Sequence, residues 1–144
     1  MSRSPREILE YASTVAVVGA SKDPGKPSGH IPYLLQRRGF RIIPVNPNSQ
    51  DVLGERTFPS LLDIEEPVDV VDVFRPAAEA PEIAHQAVAI AAKALWLQLG
   101  IMSDEAREIA ESAGLDYVEN LCMGRQTIGL AISKQSLPRL SRHC

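Results

Sequence analysis

The chain has 144 residues, 44% of them hydrophobic and 23% charged, and carries a formal net charge of −3. That length suggests one domain, able to bury a core without disulfide or metal staples. The acidic balance argues against nucleic-acid or membrane-surface binding by the surface as a whole, while leaving room for a local basic site that takes an anion.

In chain order, Ser4-Pro5-Arg6-Glu7 predicts a helix start, with Ser4 as N-cap and Glu7 closing a capping box, and a helix to about Ala12. Thr14 to Gly19 (TVAVVG) is a continuous β-branched run, the mark of a strand buried on both faces of a parallel sheet. Ile31, Leu34 and Leu35 recur at helical spacing, so a helix is expected from about Ser28–His30 to Gly39, with Pro32 tolerable only in its first turn. Arg41 to Pro47 is a second strand, Leu61–Ile64 a short turn capped by Ser60, and Val68 to Phe74 a third strand. The apolar face of Ala80, Ile83, Ala84, Ala87, Val88 and Ala91 predicts the next helix. Ala94 to Gly100 is a fourth strand, Ser103 caps a helix ending at Gly114, and Asp116 to Asn120 is a fifth strand. Residues 124–144 read as a C-terminal tail of mixed signals.

Strands alternating with helices predict a Rossmann-like, doubly wound open parallel sheet of about five strands in an α/β/α sandwich, the whole chain forming one domain. Two cysteines, Cys122 and the terminal Cys144, give neither a disulfide framework nor a zinc spacing. The N-terminus lacks an apolar signal core, and no stretch approaches the roughly 20 apolar residues of a membrane span, so a cytoplasmic location is expected.

In such folds ligands bind outside the carboxyl ends of the strands. The stretch VAVVGASKDPGKPSG then reads as a strand, a phosphate-cradling turn at Gly19, Ala20 and Ser21, and a helix start, with Lys22, Lys26 and Ser28 as polar contributors. It lacks the second and third glycines of the dinucleotide fingerprint, and Asn46-Pro47 stands where an acidic ribose reader belongs. It also misses the P-loop spacing by one residue, with Pro27 displacing the hydroxyl to Ser28.

VAVVGAS, RIIPVNP, VDVVDVFRP and LWLQLGI, in this order and followed by an asparagine-x-cysteine, resemble the small stand-alone CoA-binding proteins, whose domain is similar to that of the succinyl-CoA synthetase α subunit. The resemblance covers about Ile8 to Met123. It implies that coenzyme A is held, its phosphates wrapped by Gly19, Ala20 and Ser21. Asn46, Pro47 and the loop around Lys26 would lie near the adenosine end and its 3′-phosphate. Phe74, Arg75 and Pro76 would border the pyrophosphate and pantetheine path, and Gly100 would close the groove. Cys122, by its place after the fifth strand, is expected to meet the ligand's thiol end. Where the family commonly shows Asp-Arg-Cys, this chain has Asn120-Leu121-Cys122, so a charged contact is missing there.

No catalytic set can be assembled from His30, His85, His143 and the carboxylates, and no metal set is seen, so the chain reads as a CoA or acyl-CoA binder rather than an enzyme. Asp69 and Asp72 read as structural groups of the third strand, Trp96 as core, and Cys122 as a candidate for a mixed disulfide with CoA. The alternatives are an NAD(P)-dependent oxidoreductase-type Rossmann domain and a ligand-free regulatory module. A homodimer is the expected assembly.

Overall fold

The computed structural model describes residues 2–48 and 51–134, so the expectations for His143 and Cys144 lie outside the described residues. Five strands form one wholly parallel sheet: β1 (Thr14–Val18), β2 (Arg41–Val45), β3 (Val70–Val73), β4 (Ala94–Leu97) and β5 (Asp116–Val118). Their order is β2-β1-β3-β4-β5. The chain therefore leaves β1 in one direction and returns to its other side at β3, which puts the topological switch point at the carboxyl ends of β1 and β3.

Successive residues of a strand face opposite sides, and both sides here are apolar. Val15, Val17, Val70, Ala94 and Trp96 face the layer of α1 (Pro5–Tyr11), α2 (Pro27–Arg37) and α5 (Met123–Gly129). Ala16, Val71, Val73, Leu95 and Leu97 face α3 (Ala80–Ala89) and α4 (Asp104–Ser112). Trp96 is fully buried, as its place in the apolar run predicts. The capping box at Ser4 and Glu7 and the Ser60 and Ser103 caps form as expected. No helix among the described residues is long and apolar enough to cross a membrane.

Two elements depart from the expectation. α2 begins at Pro27, so Pro32 falls inside the helix instead of in its first turn. Proline has no amide to give to the carbonyl four residues back, which here is that of Ser28. That carbonyl instead accepts the Ser21 amide at 3.0 Å, folding the loop back onto the helix. The second departure is in the tail. Met123–Gly129 is a helix, with Met123 and Thr127 fully buried, because its inner face covers the sheet beside α1 and α2.

Candidate functional site

The carboxyl edge of the sheet carries two grooves on either side of the Gly19 turn. The first has a cavity volume of about 240 Å³ and is lined by Gly19, Asn46, Pro47, Arg75, Glu79 and Gln86, among others. The second, of about 530 Å³, is lined by Lys26, Ser28, His30, Phe74, Cys122 and Arg125 over an apolar wall of Ile31, Leu99 and Ile101. Phe74 and Arg75 are consecutive, and leaving β3 they go to opposite grooves. The loop around Lys26 thus opens on a different groove from Asn46–Pro47. Ser21 faces a third hollow of about 250 Å³ with Lys22, His30 and Tyr33. Ala20, Pro76 and Gly100 line none of these three.

Gly19 has φ +88°, a conformation that favours glycine. A Cβ there would meet Arg75 Cδ at 2.9 Å and the Phe74 carbonyl at 3.0 Å, so the missing side chain lets the Arg75 stem lie across the turn. The turn's own amides are largely committed. Gly19 N donates to the Val45 carbonyl at 2.8 Å and Ser21 N to the Ser28 carbonyl, while Ala20 N has no partner among the described residues. Ser21 Oγ accepts from Asp23 N at 3.0 Å, and Asp23 Oδ1 from Gly25 N at 2.8 Å. Asn46 joins the two loops: its Nδ2 donates to the Ala20 carbonyl at 3.0 Å and its Oδ1 accepts from Asn48 N at 3.0 Å. The amide in the place of the ribose reader thus braces the turn.

The grooves differ in charge. The second carries Lys26, His30 and Arg125 and no carboxylate among the described residues of its lining. In the first, Arg75 Nε and Nη2 donate to the two Glu79 oxygens at 3.1 and 2.7 Å, a fork that cancels the charge and holds Glu79 below the usual carboxylate range. Beneath the second groove, Gln98 Nε2 donates to Asp72 Oδ1, and Gln98 Oε1 accepts from Met123 N at 3.3 Å. Asp72 is fully buried and its Oδ2 has no hydrogen-bond partner. Burial pushes its carboxyl up to about 7, against the opposing pull of the Gln98 bond. Trp96 Nε1 donates to the Leu121 carbonyl at 2.9 Å, fixing the loop that carries Cys122.

Gly100, with φ +87°, has its amide held by Asn120 Oδ1 at 2.7 Å, so the asparagine that departs from the family pattern shapes this loop. Asp69 sits at the opposite edge, accepting from Ser13 N, Thr14 N and Lys93 Nζ. His85 is exposed on α3, away from both grooves. Among the described residues no group of three or more His, Cys, Asp or Glu is placed to hold a metal. Sequence reasoning missed Glu79, Gln98 and Arg125. Glu79 has a signal in its spacing of four from Arg75, and Gln98 as a polar residue in an apolar strand run, whereas Arg125 lies in the tail of mixed signals.

Residues 13–127 match the CoA binding domain family. The chain is 34% identical over 118 residues to the uncharacterized protein YneT of Bacillus subtilis, covering 82% of this chain and 87% of that one. It is 36% identical over 105 residues to the ADP-forming acetate–CoA ligase II of Archaeoglobus fulgidus, where the match spans 72% of this chain but 16% of the ligase. A solved hypothetical protein of Pyrococcus horikoshii OT3 superposes with a TM-score of 0.85 at 37% identity, covering 88% of this chain and 89% of that one. The chain belongs to the CoA-binding domain family.

Proposed function

We propose that this protein binds coenzyme A or an acyl-CoA along the carboxyl edge of its sheet, across the Gly19 turn. The observation that carries the reading is the split at Phe74–Arg75, which sets a polar, charge-cancelled groove beside a basic groove with an apolar wall. CoA divides the same way, into a polar nucleoside, an anionic pyrophosphate and a long, weakly polar pantetheine arm. The nucleoside suits the first groove, whose lining of Asn46, Pro47, Ser60 and Gln86 is polar and carries no net charge. The phosphates suit the turn and the cations Lys26 and Arg125, and the arm suits Ile31, Phe74, Leu99 and Ile101 beside Cys122. The glycine at position 19 leaves room for the Arg75 stem to cross the turn and bring its head to the first groove.

NAD is the less suited ligand, because the ribose-reading acid is replaced by Asn46 and that side chain is already engaged on both its atoms. Thermal shift against CoA, acetyl-CoA, NAD(H) and ATP, followed by calorimetry, tests the reading. CoA or acetyl-CoA raises Tm and NAD(H) does not; binding of NAD(H) without CoA overturns it. The acetate–CoA ligase spans far more than this chain, which matches 16% of its length.

A further inference from the structure

The first groove holds the Arg75–Glu79 pair and no other charged side chain on its described lining. The pair is a two-point fork, the geometry a phosphate would itself use on an arginine. The Arg75 stem is laid against Gly19, and Arg75 lines this groove and not the other. A carboxylate in a nucleoside groove repels a phosphate ester and accepts the hydroxyls of a free ribose. The cations that would favour phosphate, Lys26 and Arg125, line the second groove instead.

Resting on the CoA reading above, we propose that Glu79 sets ribose specificity in this groove: it competes with the ligand's 3′-phosphate for Arg75, so that the native chain takes dephospho-CoA about as well as CoA. Arg75 reads the 3′-phosphate only when Glu79 gives up the fork. Both side chains are about half exposed, at 46% and 47%, so the exchange needs no opening of the core.

The test is calorimetry of CoA and dephospho-CoA on the native chain, on Glu79→Gln and on Glu79→Gln combined with Arg75→Gln, each first shown to be folded by its Tm. The native chain binds the two ligands within about fivefold of each other, because the Glu79 carboxylate occupies both guanidinium positions that the 3′-phosphate would need. Glu79→Gln tightens CoA by about tenfold and leaves dephospho-CoA nearly unchanged, through a new charge-assisted contact to Arg75. The double variant loses that gain. A Glu79→Gln variant whose preference between the two ligands is unmoved, or which binds CoA more weakly, overturns the inference while leaving CoA binding intact. If the native chain binds neither ligand, the CoA reading falls and this inference with it.

Discussion

Gly29 shows how much a missing side chain can decide. A Cβ at this position would lie 2.0 Å from the Asp23 carbonyl oxygen and 3.2 Å from that of Ser21. The loop from Ser21 to Lys26 is therefore pressed onto the first turn of α2, where the Ser28 carbonyl freed by Pro32 holds it. Backbone cannot give way as a flexible side-chain tip can. Gly29→Ala is expected to lower stability by about 1–3 kcal/mol in denaturant unfolding and to weaken CoA binding by displacing Lys26. A variant with native stability and affinity would show that the loop is not seated as described. Cys122 carries a second prediction at this scale. Its thiol lines the second groove, and exchange with CoA disulfide would join Cys122 sulfur to one CoA sulfur and release the other CoA as thiol. Intact-mass measurement should show one CoA adduct, absent in Cys122→Ser; an unmodified native chain counts against it.

At the scale of elements, α5 completes the second groove. Met123 is fully buried in the α1/α2/α5 layer, Gly124 lets Ile31 of α2 approach, and Arg125 points into the groove lining. Met123→Ala should cost about 2–5 kcal/mol in unfolding experiments. Arg125→Ala, on the exposed side, should leave stability unchanged and weaken CoA binding severalfold in calorimetry. β3, β4 and α5 are also linked by the Asp72–Gln98–Met123 chain of hydrogen bonds. With its folded pKa raised from 3.8 to about 7, Asp72 binds its proton more tightly in the native state. Its contribution is full at pH values below about 4 and is lost as pH rises through about 7. Asp72→Asn keeps an oxygen for Gln98 and removes the titration. Relative to the native chain, its Tm should therefore rise between pH 4 and pH 8, and a constant difference across that range would refute the assignment.

At the scale of the molecule, a protein with net charge −3 is asked to hold a polyanion. Local charge decides the outcome, because at about 0.1 M salt the Debye length is about 10 Å. The cations of the second groove line it and so lie within that reach of a ligand seated there. CoA affinity should then fall as salt rises from about 50 mM to about 500 mM, and Arg125→Ala should flatten that slope. An affinity indifferent to salt would mean that apolar contacts alone hold the ligand.

The alternation of strands and helices, the unbroken β-branched runs and the serine caps are local patterns, and they determined the parallel sheet from sequence alone, and with it the carboxyl edge on which the grooves open. The turn at Gly19 and the absence of an acidic ribose reader at Asn46 were legible for the same reason. Which groove each residue joins was not. Phe74 and Arg75 are adjacent in the chain and part because successive positions face opposite sides of a sheet whose strand order the sequence does not print. Arg125 joins Lys26 only because α5 packs beside α2, and the short helix has too weak a pattern to announce that contact. The commitment of the Gly19 and Ser21 amides to Val45 and Ser28, and of Arg75 to Glu79, depends on long-range closure or side-chain placement. Only the tertiary structure decided those, because they arise when segments distant in sequence are brought to one edge.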